Sequence, residues 1–191
     1  QSGLRQSLEG KIRSWRRVVT TRPEDHRPKS RQNEFARMSE HVVRGIVKEG
    51  HRVASGLAEE PRFPNGTLAL QIPCFAVRGL DLAPYHRGTI NVSIAPLTYI
   101  IGQAWKTLPG VKWSPFMPAE NFSFYRCGIR PTGAETFAEG LVYWPHPSTK
   151  PEYFQDSSTL EILAPFIEGI RYGSTVELRL NPKDIEITGQ S

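Results

Sequence analysis

Apolar and polar residues alternate over residues 89–94, which is the period of a β-strand with two different faces. Three apolar side chains share one face and three oxygen-bearing side chains share the other: Ile90, Val92 and Ile94 against Thr89, Asn91 and Ser93. Neutral oxygens suit a hydrated hard cation that a phosphate chain also holds. The pattern therefore predicts a half-buried strand, either an ordinary one or one whose polar face binds a hydrated hard cation.

The first 49 residues have helical rather than alternating spacing and predict two helices. Apolar residues recur every three or four positions in two stripes: Leu4, Leu8, Ile12, Trp15 and Val19 in the first, and Phe35, Met38, Val42 and Ile46 in the second. Residues 21–29 between them contain two prolines and many charges, which predicts a loop. We expect both helices to pack against the outside of the remaining chain.

From residue 50 onward, short alternating segments separated by Gly, Pro, Asn and Asp predict β-strands. Besides the strand at residues 89–94, these segments are 68–72, 122–129, 141–144, 160–163, 176–180 and the closing 185–187. Many short strands with few helices between them favour a closed barrel, because closure removes exposed sheet edges. The sequence thus predicts a mainly β protein in two units, a helical arm over residues 1–49 and a β-barrel over residues 50–191.

The net charge of +5 is concentrated near the start of the chain. Residues 1–52 contain 13 Lys and Arg against 6 Asp and Glu, a net charge of +7, and the remaining residues carry −2. A basic helical arm is able to bind nucleic acid, but no recognition-helix pattern is present and we favour packing on the barrel. Because no apolar run reaches the roughly 18 residues of a membrane span, we expect no membrane association.

The two cysteines, Cys74 and Cys127, lie far apart, and neither has a Cys or His at metal-ligand spacing. We expect both to be free thiols in a reducing compartment, which favours a cytoplasmic protein. Neither residue points to redox chemistry.

Four separated blocks follow one another in order: EGHRVASGLAEE at residues 49–60, PYHRGTINV at 84–92, SSTLEILAP at 157–165 and IRYGSTVEL at 170–178. In this order the blocks resemble the archaeal CTP-dependent riboflavin kinases, over roughly residues 47–187. The resemblance implies a cradle-loop β-barrel of the riboflavin-kinase type. It also implies transfer of a phosphoryl group from CTP, or from another nucleoside triphosphate, to riboflavin as the small-molecule substrate, which yields FMN.

In that family, the Thr and the Asn of the second block hold Mg²⁺. The resemblance therefore assigns the metal to Thr89 and Asn91, the residues that the alternation places on one polar face. Phosphoryl transfer depends mainly on positioning and charge neutralisation, so a strand that offers two oxygens to a bridging metal is adequate for this chemistry.

The family contacts flavin through the Glu of the third block and a Thr shortly before it. The Glu corresponds to Glu161, which is the candidate catalytic residue. Its carboxylate is expected to accept hydrogen bonds from the flavin or to orient the attacking hydroxyl, with a charge on a solvated strand face as the alternative. The preceding flavin contact corresponds to Thr149 or to Tyr153, depending on the side from which residues are counted.

The resemblance also implies a nucleotide site built from two segments. Its residues are Ser55, Gly56, Leu57, Ala58, Glu59 and Glu60 in the first, and Phe166, Ile167, Glu168, Gly169 and Arg171 in the second. The family's glycine-rich loop lets backbone N–H groups approach the nucleotide. Here Ala58 and Glu60 replace two of its three glycines, and Arg171 is the one cation of the second segment. We therefore expect weakened CTP binding.

Two alternatives to a working kinase follow from these departures and from the arm. One is a non-catalytic or repurposed barrel that binds a flavin, a nucleotide or another ligand, which the altered glycine loop favours. The other is a nucleic-acid-associated regulator, because cradle-loop barrels resemble the swapped-hairpin fold of some transcription factors and the arm is basic. The Thr89 and Asn91 pair favours the kinase.

Overall fold

The computed structural model of the protein describes residues 40–58, 60–152 and 154–189. Within these residues the chain forms nine strands and one helix. In chain order they are β1 (His41–Lys48), α1 (Thr67–Ala76), β2 (Ile90–Ser93), β3 (Thr98–Ile101), β4 (Lys106–Val111), β5 (Glu120–Pro131), β6 (Ala138–Pro145), β7 (Thr159–Leu163), β8 (Thr175–Leu180) and β9 (Ile185–Thr188).

Six of the strands close into an antiparallel barrel. Their order is β5, β6, β7, β2, β1 and β8, and β8 pairs back onto β5 to complete the ring. Strand β4 pairs with β5 outside the ring, and β3 and β9 form a separate two-stranded sheet. The mainly β architecture and the closed barrel are thus confirmed.

The inside of the barrel is filled by alternate residues of its strands. Val47 lies opposite Val92, and Val92 lies opposite Leu160, so one apolar residue from each of β1, β2 and β7 meets in the interior. Because side chains alternate along a strand, the neighbouring residues of these three must point to the outside. The outer face of β2 and β7 is therefore where polar side chains collect.

A second apolar layer lies outside the barrel and is covered by helix α1. Phe75 of the helix is fully buried and makes edge-to-face contacts with Phe122 and Phe124 of β5, at ring-centroid distances of 5.1 and 5.3 Å. Leu68 and Leu163 belong to the same layer. This layer holds the helix and the loop before it against the strands that carry the polar face.

The strand predicted for residues 68–72 is wrong, because residues 67–76 form helix α1. The helix buries Leu68, Gln71 and Phe75, which are spaced three and four residues apart, and leaves Leu70 exposed. The alternation of Leu68, Leu70 and Ile72 was coincidental, since the buried face includes a polar residue that the hydrophobic pattern omits. The helix begins where the N–H groups of Thr67 and Leu68 donate to the carbonyls of Val53 and Ala54.

The second predicted helix of the arm is wrong over residues 41–48, which form β1. Val42 and Ile46 lie on the outer, exposed face of this strand, while Val43 and Val47 are buried. A spacing of four residues fits one face of a helix and also one face of a strand, so the stripe was ambiguous. The barrel therefore includes residues that the sequence assigned to the arm. The first stripe, together with Phe35 and Met38, lies outside the described residues.

The remaining strand predictions are confirmed by β2 and β5–β9, whereas β3 and β4 were not predicted. Both cysteines are free, as expected, and burial inside the barrel raises the pKa of the Cys127 thiol to about 12. Within the part of the chain that the structure describes, no helix combines the length and the apolar character needed to cross a membrane.

Candidate functional site

A cleft lies on the outer face of β2, β6 and β7, beneath the loops that follow β1 and β6; we refer to it as the main cleft. Its polar side chains come from six different parts of the chain: His51 and Arg52, Gln71, Thr89 and Asn91, Glu120, Lys150 and Glu152, and Glu161. Its wall also contains the apolar and aromatic side chains of Phe63, Trp113, Met117 and Tyr143, among others. Convergence of this kind in one concave site is what a small-molecule site requires.

The polar row of this cleft is set by strand register. Lys48, Asn91 and Glu161 are direct partners on the three adjacent strands β1, β2 and β7. All three side chains point to the same outer face, since Val47, Val92 and Leu160 point inward. The backbone ladder therefore holds the candidate metal ligand Asn91 beside the candidate catalytic residue Glu161.

Local contacts fix the Asn91 side chain further. Gln155 donates through Nε2 to Asn91 Oδ1 at 3.0 Å and to Glu161 Oε1 at 3.3 Å. Its amide therefore bridges the two side chains. Gly50 packs directly against the Asn91 amide, and a Cβ at Gly50 would overlap it. The Thr89 side chain, two residues before Asn91, is close enough to Glu161 to lower the pKa of its carboxyl group.

Glu161 is a largely enclosed carboxyl group. Burial raises its pKa above the ordinary glutamate value, and the nearby Lys150, Gln155, His51 and Thr89 offset only part of that effect. Lys150 Nζ lies 3.9 Å from Glu161 Oε2 and is itself mostly buried. A largely buried carboxyl group with a raised pKa is suited to accept a proton or to hold a hydroxyl group.

A second cleft adjoins the main cleft and has a volume of about 290 Å³. It is lined by His86, Ile90, Pro165, Phe166, Ile167, Ile170 and Arg171, among others. Thr89, Asn91 and Tyr172 line both clefts. By the same measure the main cleft has a volume of about 80 Å³. The two candidate metal ligands thus form a shared wall between the two clefts.

The first predicted nucleotide segment is divided by the structure. Ser55 lines the main cleft, but Leu57 and Ala58 are exposed and line neither cleft. Gly56 has φ +82° and packs against the backbone of Gly66, so its lack of a Cβ serves this close approach. Glu59 lies outside the described residues.

Glu60 does not point toward the shared wall. Arg62 contacts both of its carboxylate oxygens, at 2.9 and 3.2 Å, and also contacts both oxygens of Glu152, at 3.2 and 2.9 Å. This double pairing ties the loop after β1 to the loop after β6 at the edge of the main cleft. The Glu60 carboxylate is therefore paired with Arg62, a guanidinium that it shares with Glu152.

The second predicted nucleotide segment lies around the second cleft. Phe166, Ile167 and Arg171 line that cleft, and Phe166 is 82% exposed. Glu168 and Gly169 are exposed and do not line it. Three of the five residues predicted from this segment therefore share the second cleft with Thr89 and Asn91.

The two candidates for the further flavin contact have different outcomes. Thr149 Oγ1 accepts a hydrogen bond from the N–H of Asn121 at 2.9 Å and donates to the carbonyl of His146 at 3.2 Å. Its hydroxyl is thus engaged in a turn, and Thr149 lines neither cleft. Tyr153 lies outside the described residues.

Several residues of the main cleft were not predicted from the sequence. Gln71 lies on the helix that was predicted as a strand, Trp113 lies between β4 and β5, and Glu120 is the first residue of β5. Lys150 was within a segment that the resemblance left poorly aligned. The sequence offered one signal for these residues, which was the polar Gln71 on the otherwise apolar buried face of α1. That signal required the segment to be recognised as a helix.

Among the described residues, no group of three or more His, Cys, Asp and Glu side chains is arranged to hold a metal ion. The Thr89 and Asn91 pair would rely instead on neutral oxygens, supplemented by phosphate oxygens and water, as Mg²⁺ often is in nucleotide sites. Both side chains line the shared wall, and a carbonyl oxygen such as Asn91 Oδ1 keeps a second lone pair beside the Gln155 hydrogen bond. These residues fit the ion.

Comparison of the chain with models of known protein families found no match, and comparison with curated proteins found no match either. The four blocks that carry the family resemblance meet around the two clefts. Asn91 of the second block lies opposite Glu161 of the third, and the N–H of Gly173 in the fourth donates to the carbonyl of Val47, which is just before the first.

Proposed function

We propose that the protein transfers a phosphoryl group from a nucleoside triphosphate to the terminal hydroxyl of riboflavin. The observation that carries the proposal is the shared wall, in which Thr89 and Asn91 face two adjoining clefts with Glu161 beside them. A transfer reaction needs two ligands whose reacting ends meet, and these two clefts meet at residues suited to a phosphate-bound Mg²⁺.

Each residue then has a defined task. Thr89 and Asn91 would hold Mg²⁺, which when bound neutralises the charge of the phosphates. Glu161 accepts a hydrogen bond from the attacking hydroxyl and orients it toward the shared wall. Lys150 balances the charge of Glu161 within the enclosed site.

The donor would lie in the second cleft and the acceptor in the main cleft. Arg171 at the rim of the second cleft is positioned to pair with a phosphate, and the exposed ring of Phe166 offers a face for a base. Ser55, from the first predicted nucleotide segment, lines the main cleft. CTP is the donor that the family resemblance favours.

The test is to incubate the protein with riboflavin, Mg²⁺ and each of the four common nucleoside triphosphates, and to quantify FMN by chromatography. We expect FMN with at least one donor, and we expect Asn91→Ala to lower the rate about 100-fold or more, because charge neutralisation at the phosphates is lost. Ser93→Ala is the matched control, since Ser93 lies on the same face of β2 but lines neither cleft. Absence of FMN with all four donors would contradict the proposal.

A second candidate function is ligand binding without catalysis. The observation that favours it is the exposed position of Leu57 and Ala58, which leaves the loop expected to cradle a nucleotide outside both clefts. In that case riboflavin would bind with quenching of its fluorescence, or a nucleotide would bind and stabilise the folded protein. No FMN would form. Binding and product formation measured on the same sample distinguish the two functions.

A further inference from the structure

Glu120 is a buried carboxyl group that the proposed phosphoryl transfer does not use. It stands at the start of β5, is 3% exposed and lines the main cleft. Its Oε1 accepts a hydrogen bond from the indole N–H of Trp113 at 2.9 Å. No fully enclosed side-chain nitrogen or oxygen of the described residues lacks a hydrogen-bond partner. The second oxygen of Glu120 is therefore not fully enclosed without a partner, and the cleft that Glu120 lines is where a ligand would reach it.

Gln71 presents the opposite chemistry in the same cleft. It projects from helix α1, is also 3% exposed, and accepts a hydrogen bond from the Tyr143 hydroxyl at 2.9 Å through Oε1. With its oxygen engaged in this way, its amide N–H groups are the donors that remain for the cleft. Gln71 Nε2 is likewise not a fully enclosed atom without a partner. It is therefore a donor that a ligand in the cleft is able to use.

The wall of the same cleft also contains aromatic and apolar side chains. Phe63 and Trp113 pack together with ring centroids 5.2 Å apart, and Met117 and Tyr143 line the same space. All four side chains are buried. Such walls favour a planar aromatic ligand, because aromatic and thioether groups contact ring faces well and cannot satisfy a charged or strongly polar ligand.

We propose that the main cleft recognises an aromatic heterocycle by a ring edge that carries an N–H group next to a carbonyl. Glu120 accepts the hydrogen bond from the ring N–H, and the Gln71 amide donates to the neighbouring carbonyl. Glu120 is thereby a specificity-determining residue of the acceptor site. This assignment rests on the proposed function, since it takes the acceptor to lie in the main cleft.

The proposal also orients the acceptor. Glu120 and Glu161 both line the main cleft together with Lys150, whose Nζ lies 3.9 Å from Glu161 Oε2. Glu161 stands at the shared wall with Thr89 and Asn91, where the hydroxyl must be phosphorylated. The ligand then contacts Glu120 with its ring edge and Glu161 with its hydroxyl chain. Its two ends lie against two separate carboxyl groups.

The test uses a change in the ligand and a change in the protein. Riboflavin has a ring N–H between two carbonyls, and 3-methylriboflavin replaces that hydrogen by a methyl group. Binding of each is followed by quenching of flavin fluorescence, with the wild-type protein and with Glu120→Gln, which keeps the shape of the side chain. Glu139→Gln is the matched control, because Glu139 is an exposed residue that lines neither cleft and pairs with Arg179 on the surface.

We expect the wild-type protein to bind riboflavin about tenfold or more tightly than 3-methylriboflavin, as for a hydrogen bond to a charged group. Glu120→Gln should weaken riboflavin binding by a similar factor and remove the preference, whereas Glu139→Gln should retain it. If Glu120→Gln does not fold, the comparison of the two ligands on the wild-type protein decides alone.

Equal binding of the two flavins by the wild-type protein, or a preference that survives in Glu120→Gln, would overturn the assignment. Formation of FMN in that case would leave the proposed phosphoryl transfer standing. Conversely, the expected binding pattern without FMN would reject the transfer and retain the recognition of the ring edge. A wild-type protein that binds neither flavin would reject both.

Discussion

At the scale of single residues, the candidate site is a place where charge is held at a cost to stability. Glu161 is enclosed, and burial raises its pKa although Lys150, Gln155, His51 and Thr89 all favour the charged form. The loss of water around the carboxylate therefore outweighs the attraction of its neighbours. Groups held in this way are found more often at functional sites than in structural cores.

Substitution of Glu161 tests this cost. The pKa of Glu161 in the folded protein lies above the value of 4.5 for an unperturbed glutamate. Protonation therefore stabilises the fold at low pH, and this contribution is lost as the pH rises through the folded pKa. We expect Glu161→Gln to be more stable than the wild-type protein at pH 7, and the difference to shrink as the pH falls toward 4, in urea unfolding.

Glu168→Gln controls for the loss of one negative charge, because Glu168 is exposed on a loop. A stability difference between Glu161→Gln and the wild-type protein that is the same at pH 4 and pH 7 would show that burial of the charge is not its source.

Among the secondary-structure elements, helix α1 has the largest effect on the site. Its Phe75 fills the layer between the helix and β5, and its Gln71 reaches the main cleft four residues earlier. The same face of the helix therefore serves packing and ligand contact. Any loss of packing at Phe75 should also displace the Gln71 amide.

Phe75→Ala should lower the free energy of unfolding by about 3–5 kcal/mol, which is typical for truncation of a fully buried aromatic side chain. Phe116→Ala removes the same atoms from a side chain that is 65% exposed and should cost less than about 0.5 kcal/mol. Chemical denaturation of the two variants measures both values. Similar losses in the two variants would mean that α1 does not cover the outer layer as described.

The elements that sequence analysis predicted well were the strands of the barrel and its closing edge. Strands β2, β8 and β9 alternate between apolar and polar residues, and β5 and β6 are mainly apolar segments bounded by turn residues that place apolar side chains on both faces. Strand β1 was missed because a spacing of four residues fits one face of a helix and one face of a strand, and helix α1 was missed because Leu68, Leu70 and Ile72 alternate by coincidence. Tertiary contacts decided between them, through the burial of Gln71 in one case and of Val43 and Val47 in the other.

The candidate site was predictable in part for a similar reason. Thr89 and Asn91 share a face within one short strand, so the local pattern was enough to group them. Glu120 and Gln71 line the same cleft only because α1 packs against β5. No local spacing links two residues so far apart in the chain. Their convergence became visible only with the fold.

For the molecule as a whole, closure of the ring is the feature on which everything else depends. Strand β1 lies between β2 and β8 and presents Lys48 beside Asn91. Removal of β1 would leave two unpaired strand edges and open the interior to water. The residue at which the chain is shortened should therefore decide whether the barrel forms.

We expect a chain of residues 40–191 to unfold cooperatively and a chain of residues 50–191 to aggregate or to lack a cooperative transition, because only the second loses β1. Circular dichroism during heating, together with size-exclusion chromatography, measures the difference. Cooperative unfolding of the shorter chain at the same temperature would contradict a role for β1 in closure.

The pairing of β1 with β8 also has a consequence for how the protein is made. His41 pairs with Leu180, so the first strand of the ring meets a partner that lies almost at the other end of the described chain. A ribosome that synthesises the chain from its N-terminus releases β1 long before β8, and the early strand must wait with one edge unpaired. Contacts of such high sequence separation also make folding slow. Ring closure must therefore be one of the last steps, after synthesis of the barrel is nearly complete, and until then β1 depends on β2 or on a chaperone for protection.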